Sequence, residues 1–126
     1  ALAFGVRFGG RSIVYATDTE HYACVDPAIC SLAEGADILI YDAQYTTSEY
    51  AGAGGSPKVG WGHSTFEQTL ELALRSQVGK LYLFHHAPGR TDSEIDQLLE
   101  EYREAVTHRK STLRVFAAAE GDEALL

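Results

Sequence analysis

Residues 36–45 have the sequence Ala-Asp-Ile-Leu-Ile-Tyr-Asp-Ala-Gln-Tyr, and this stretch decides the fold class. Its four consecutive large apolar residues, from Ile38 to Tyr41, predict a strand that is buried on both faces, as in a covered sheet. Asp42 then ends the apolar run. A buried strand that ends in a polar residue is typical of a layered α/β fold, in which functional groups collect at the strand ends.

Upstream of this strand, the pattern predicts a hairpin and a helix. Residues 2–8 and 12–17 are β-rich runs separated by Gly9-Gly10-Arg11, which is the pattern of a hairpin with a short glycine turn. Residues 27–34 begin with a proline, favourable in a first helical turn, and they have an apolar face. We therefore expect a short helix there that ends at Gly35.

Directly downstream, residues 43–62 contain five glycines and one proline, a composition that predicts a long loop without a helix or strand. Loops of this length are commonly functional or mobile, although an idle surface insertion is the alternative. Ser64 and Glu67 have the spacing of a capping box, in which each side chain bonds the other residue's amide. This pattern predicts a helix that begins at Ser64 and runs to about Gln77, with Gly79 ending it.

The remaining sequence predicts a strand, a helix and a last strand. Residues 80–84 form the first strand, and Thr91-Asp-Ser-Glu94 is a second capping pattern that opens a helix running to about His108. Residues 113–116 are the last strand, and residues 120–126 are a tail. The predicted order is therefore β-β-α-β-loop-α-β-α-β.

Composition limits the classes of partner. The 126-residue chain has a formal net charge of −8 and only 10 Lys and Arg residues, which argues against a broad nucleic-acid surface. A local phosphate contact is left open, because metal ions and histidines also supply positive charge. No apolar run approaches the roughly 18 residues of a membrane span, and no signal peptide is evident. We therefore expect a cytoplasmic protein without a membrane partner.

The beginning of the chain suggests a missing upstream part. The sequence contains no methionine, and it opens with Ala1-Leu2-Ala3-Phe4, which already reads as a strand. We expect that further residues precede Ala1 in the natural protein.

Three short segments carry the residue types of a metal hydrolase: residues 17–21, 62–65 and 84–88. Imidazole and carboxylate groups suit zinc, manganese or iron, and strand ends hold such ligands rigidly. Taken singly, Asp18 is also explained as a turn residue, and His63 as a residue packed over a helix start. Because adjacent residues point to opposite sides, only one of His85 and His86 is expected to face a given metal ion.

Together, these segments resemble a known family. Residues 36–45, Gly62-His-Ser-Thr65, the capped helix and Lys80-Leu-Tyr-Leu-Phe-His-His-Ala-Pro88 are similar to the second half of metallo-β-lactamase-superfamily hydrolases. The nearest branch includes tRNA 3′-processing endonucleases and small phosphodiesterases. Tyr15-Ala-Thr-Asp-Thr19 resembles the strand that ends in the family's metal-bridging aspartate. The resemblance implies an α/β fold, the second half of a four-layered αββα domain, with residues 1–126 as its C-terminal portion.

The resemblance also implies roles for four residues. Asp18 would bridge two divalent metal ions, zinc first and manganese or iron as alternatives, and His85 would be a second ligand. His63 would pair with Asp42 as the acid–base residue beside the scissile bond, because a carboxylate orients an imidazole and raises its basicity. A metal-activated water would then cleave a phosphodiester or another small-molecule substrate. His21 and His108 have no comparable context, and whether His21 or His86 contributes is left open.

The departures from the family pattern are equally specific. The family's His-x-His-x-Asp-His cluster is absent, so we expect activity only with an upstream half of the same protein or with a second copy in a homo-oligomer. The alternative is a non-catalytic half-fold or binding module. Residues 87–90 stand where the processing nucleases have Phe-Ser-x-Arg-Tyr, which disfavours tRNA as the substrate. A nucleotide-binding module is disfavoured, because no phosphate-binding glycine loop links a strand to a helix.

Overall fold

The computed structural model describes residues 2–126 and contains one five-stranded sheet with helices. The strands are β1 (Ala3–Phe8), β2 (Arg11–Ala16), β3 (Ile38–Asp42), β4 (Lys80–Phe84) and β5 (Arg114–Ala117); the helices are α1 (Pro27–Ala33), α2 (Thr47–Ala51), α3 (Phe66–Arg75) and α4 (Asp92–His108). The predicted α/β order is confirmed, with one additional helix, α2.

The strands lie in the order β1-β2-β3-β4-β5. The hairpin pair β1 and β2 is antiparallel, and every other neighbouring pair is parallel. Helices α1, α3 and α4 pack on one face of the sheet in a single core. Crossovers between parallel strands are right-handed, and here all three advance in the same direction, so they place their helices on the same face. The carboxyl ends of β2, β3 and β4 consequently meet at one edge.

The opposite face of the sheet remains apolar. Phe4 and Val6 of β1 are 55% and 63% exposed, and Tyr15 beside them is 40% exposed. Farther along this face, residues of the chain end line a cavity of about 280 Å³ together with apolar side chains of β2, β3 and β4. The tail therefore lies over part of this face, while Phe4 and Val6 of β1 and part of Tyr15 stay exposed.

The hairpin turn consists of Gly9 and Gly10 alone. Phe8 pairs with Arg11, so Arg11 is the first residue of β2. The prediction that Arg11 belongs to the turn is therefore wrong. The two glycines have φ values of 55° and 76°, which a two-residue type I′ turn requires at both positions. The glycine pair therefore determines the register of the hairpin.

The prediction that residues 43–62 lack helical structure is wrong for α2. Thr46 accepts a hydrogen bond from the Glu49 amide, and the Glu49 side chain accepts one from the Thr46 amide. This reciprocal capping box opens the helix, and Gly52, with φ 116°, ends it. The Thr-x-x-Glu pattern at residues 46–49 lies before the first glycine of this segment, where the glycine content does not oppose a helix.

The predicted start of α3 at Ser64 is also wrong. Thr65 is the N-cap, since its hydroxyl accepts the Gln68 amide at 3.2 Å. The Ser64 hydroxyl instead donates to the Thr19 carbonyl at 2.7 Å, and Glu67 accepts the Thr47 amide at 3.1 Å. Ser64 therefore connects the helix start to the segment that follows β2.

The end of α3 differs from the prediction as well. Gln77 has φ 55°, and the Val78 amide donates to the Ala73 carbonyl at 3.1 Å, so the left-handed cap residue is Gln77. Gly79 has another role, because a Cβ atom there would lie 3.0 Å from the Asp37 carbonyl oxygen. The glycine permits the close approach of two backbone segments before β4.

Helix α4 matches the prediction. Thr91 and Glu94 form the capping box, and Leu99, Tyr102 and Val106 are buried beneath the helix. Burial of each such side chain contributes roughly 1.5–3 kcal/mol to folding. In the described part of the chain, no helix combines the length and apolar character that crossing a bilayer requires.

Candidate metal centre

The candidate site lies where three parallel strands end at one edge of the sheet. Asp18 follows β2, Asp42 is the last residue of β3, and His85 directly follows β4. His63 reaches the same edge from the segment that precedes α3. The crevice beyond the carboxyl ends of parallel strands is the usual position of ligand sites in α/β proteins. The fold thus brings together the four residues singled out in the sequence.

Asp18, His63 and His85 each place one potential ligand atom within 4.8 Å of the others. His85 Nε2 lies 3.4 Å from Asp18 Oδ1, a separation that two ligands roughly 2.0–2.2 Å from one ion can span. The rings of His63 and His85 stack, with centroids 4.4 Å apart. The carboxylate of Asp18 and the imidazole of His85 are donors that suit zinc, so these two residues fit a divalent metal ion, with the His63 ring beside them.

Asp18 is held for this position by its own turn. Its φ of 51° is left-handed, and its amide donates to Asp42 Oδ2 at 2.9 Å. The Thr17 hydroxyl donates to Asp18 Oδ2 at 2.7 Å. This hydrogen bond, aided by nearby His85 and His63, lowers the pKa of Asp18 and favours the ionised form. Asp18 is thus an exposed carboxylate suited to binding a cation.

Asp42 is fully buried and binds three N–H groups. Its Oδ1 accepts the Ser64 amide at 3.0 Å, and its Oδ2 accepts the Asp18 amide and lies 2.8 Å from His63 Nδ1. A carboxylate in this environment acts as an acceptor, so we assign the His63 proton to Nδ1. His63 Nε2 is then free for other contacts.

His85 is oriented by a residue that the sequence did not single out. Its φ is 59°, and its Nδ1 lies 2.9 Å from Gln44 Oε1. The sequence contains no local signal for this contact, since the two residues are 41 positions apart. Gln44 is therefore a site residue that only the structure reveals.

His86 is directed away from the cluster, as expected for the neighbour of a strand-end ligand. Its ring stacks on Phe66 with centroids 6.4 Å apart, and neither ring nitrogen has a hydrogen-bond partner among residues 2–126. Burial, with the charge of Arg90, lowers the pKa of His86 and favours the neutral ring. His86 is thus a packing residue.

The loop that leads to His63 is anchored by Glu20, a second residue that sequence reasoning missed. The buried Glu20 carboxylate accepts the Tyr50 hydroxyl at 2.6 Å, the Gly60 amide at 2.7 Å and the Gly62 amide at 3.0 Å. Burial opposes the ionised form, but these hydrogen bonds outweigh it and lower the pKa of Glu20. Glu20 therefore fixes the backbone adjacent to His63.

His21 lies outside the three-residue cluster. Its ring packs against Tyr50, with centroids 4.8 Å apart, and burial lowers its pKa. It therefore supports the loop anchor from within the protein interior.

A family model described as the β-lactamase superfamily domain matches residues 1–86. The chain belongs to the metallo-β-lactamase superfamily, near its ribonuclease Z branch. Ribonuclease Z of Thermoplasma acidophilum is 40% identical over 103 residues, covering 81% of this chain and 29% of the relative. Ribonuclease Z of Brevibacillus brevis is 34% identical over 92 residues, covering 73% of this chain and 26% of the relative.

A solved structure supports the superfamily fold. The metallo-β-lactamase fold protein YhfI from Bacillus subtilis superposes with a TM-score of 0.69 at 19% identity. The match covers 95% of this chain and 42% of YhfI. The expected metallo-β-lactamase type of α/β fold is therefore confirmed. This superfamily member spans less than a third of the length of the two ribonuclease Z relatives described above.

Proposed function

We propose that the chain is part of a metal-dependent hydrolase that cleaves phosphodiester bonds. The observation that carries this proposal is the convergence of Asp18, His63 and His85 ligand atoms within 4.8 Å at the strand ends. Asp18 and His85 hold the metal, and His63 with Asp42 is the acid–base pair. The ribonuclease Z relatives support the phosphodiester as the bond cleaved.

A bound pair of zinc ions, with manganese or iron as alternatives, would supply an activated water and stabilise developing negative charge. The residues of this chain contribute ligation and proton transfer. Asp18 and His85 bind the cations with a carboxylate oxygen and Nε2, respectively. His63 Nε2 would donate a proton to the leaving oxygen, while the Asp42 carboxylate orients the ring through its contact with Nδ1.

We further propose that residues 1–126 are the C-terminal portion of one domain. Its other portion would supply the His-x-His-x-Asp-His ligands and cover the open face of the sheet. This is supported by the exposure of Phe4, Val6 and Tyr15 and by the 42% coverage of YhfI. Alternatively, a second copy of the chain in a homo-oligomer would cover the open face of the sheet. Both alternatives, and a cytoplasmic location, remain predictions.

A non-catalytic binding module is the second candidate function, and the same open sheet face favours it. In that case the apolar face of β1 and β2 would pair with another chain without any metal chemistry. Metal content separates the two functions, since only the hydrolase requires zinc, manganese or iron.

The test combines metal analysis with hydrolysis of a chromogenic phosphodiester by the full-length protein. Asp18→Ala should lose metal and activity together. His63→Ala should retain metal and slow turnover by about 100-fold or more, as expected when a general acid is lost. His108→Ala, at the exposed end of α4, is the matched control and should change neither property.

Two results would contradict the proposal. Wild-type protein with no bound metal and no hydrolysis would favour the binding module. Equal metal loss in His63→Ala and Asp18→Ala would show that His63 is a ligand and not the general acid.

A further inference from the structure

The side chain of Gln44 connects the candidate ligand His85 to a buried tyrosine. Gln44 Oε1 lies 2.9 Å from His85 Nδ1, and Gln44 Nε2 donates to the Tyr45 hydroxyl at 3.0 Å. Tyr45 is only 6% exposed, so one end of the amide is held inside the protein. The carbonyl end of the amide is consequently directed at the imidazole.

The backbone of Gln44 is held by a second set of contacts. Arg90 donates from Nη2 to the Gln44 carbonyl at 3.0 Å and to Glu49 Oε2 at 2.7 Å. The Arg90 side chain is 8% exposed, and the same Glu49 oxygen accepts the Thr46 amide. The buried Arg90 guanidinium, itself paired with the partly exposed Glu49, thus restricts the position of the Gln44 backbone.

The two stacked histidines have chemically different acceptors. His63 Nδ1 lies 2.8 Å from the Asp42 carboxylate, an anionic acceptor. His85 Nδ1 faces a neutral amide, which orients the ring without adding a negative charge. With the proton on Nδ1, the Nε2 lone pair of His85 faces the Asp18 carboxylate 3.4 Å away.

We propose that Gln44 is a positioning residue that fixes the Nδ1–H tautomer of His85 and thereby sets the metal affinity of the site. This inference rests on the proposed role of His85 as a metal ligand. An acceptor behind a ligand histidine fixes its tautomer and ring orientation, and loss of such a partner typically lowers metal affinity by about 10–100-fold.

The test compares Gln44→Met, Gln44→Glu and the control Gln97→Met in the full-length protein. Methionine has a similar length but offers no oxygen acceptor, whereas glutamate keeps the acceptor. Gln97 is an exposed residue of α4, remote from the strand ends. Zinc affinity is measured by competition with a chelator. Nitrogen NMR spectra of the zinc-free protein, recorded about two pH units above the ordinary histidine pKa, report which ring nitrogen of His85 carries the proton. The His85 signal is identified by its absence from the spectrum of His85→Ala.

Gln44→Met should lower zinc affinity by about 10–100-fold and shift His85 away from the Nδ1–H tautomer. Gln44→Glu should preserve both, and Gln97→Met should match wild type. Equal affinity loss in the Met and Glu variants would overturn the inference, since it would indicate a packing effect. An unchanged His85 tautomer in Gln44→Met would also overturn the inference. If wild type binds no zinc but the tautomer responds as expected, the ligand role of His85 fails while the orientation by Gln44 stands.

Discussion

Replacement of Asp42 by asparagine should destabilise the protein although the two side chains have nearly the same shape. Asp42 is fully buried, and its two oxygens accept the Ser64 amide, the Asp18 amide and the Nδ1 proton of His63. An asparagine has one acceptor oxygen. Its NH₂ group must therefore face either the Ser64 amide or the Asp18 amide, and one backbone N–H loses its partner in both orientations.

The magnitude follows from that unpaired donor. A buried polar group without its hydrogen bond costs about 1–3 kcal/mol, so the free energy of unfolding of Asp42→Asn should fall by this amount. Urea denaturation with linear extrapolation measures the change. Asp96→Asn removes the same charge from the exposed surface of α4 and should stay within about 0.5 kcal/mol of wild type. If the two variants were equally stable, the assignment of Asp42 as a three-donor acceptor would be refuted.

Three further predictions test the supports around the site. Glu20→Gln loses a charged acceptor from the anchor of residues 52–62, so proteolysis within this loop should be faster than in wild type. Gly79→Ala should lower the free energy of unfolding, since the added Cβ would meet the Asp37 carbonyl oxygen at 3.0 Å; an unchanged urea midpoint would contradict this contact. The hydrogen bond from Arg109 lowers the pKa of Glu71 from its ordinary value of 4.5. The free energy of unfolding of wild type should therefore exceed that of Glu71→Gln above pH 4.5, and this difference should decline as the pH falls below 4.5.

Local sequence signals were sufficient for elements that depend on neighbouring residues. Gly9-Gly10 predicted the hairpin, and Thr91 with Glu94 predicted the start of α4, because a turn or a capping box is complete within four residues. The start of α3 was misassigned for a different reason. Both Ser64 and Thr65 satisfy the local pattern, and the choice between them depends on the contact of Ser64 with Thr19, 45 residues away.

The site was also predictable only in part, because some of its residues act through contacts with distant parts of the sequence. Asp18, His63 and His85 carry the residue types that metal chemistry needs, and the order of strands places them at one edge. Glu20 and Gln44 act through contacts that span about forty residues, and their local sequence does not distinguish them from ordinary polar loop residues. Such supporting residues become evident only when the fold has brought their partners together.

The end of β3 supports both candidate ligands, and this explains how two strained residues persist. Asp18 and His85 have φ values of 51° and 59°, a conformation that costs roughly 1–2 kcal/mol for a residue with a Cβ atom. Asp42 holds the Asp18 amide, and Gln44 holds the His85 ring.

Asp42 and Gln44 are two positions apart, so an extended backbone directs both side chains to the same side, with the buried Ala43 directed to the other. The end of β3 thus orients Asp18, which follows β2, and His85, which follows β4. A change at Asp42 should release the Asp18 amide or the Ser64 amide, and a change at Gln44 should mainly release His85, although both residues belong to the same strand end.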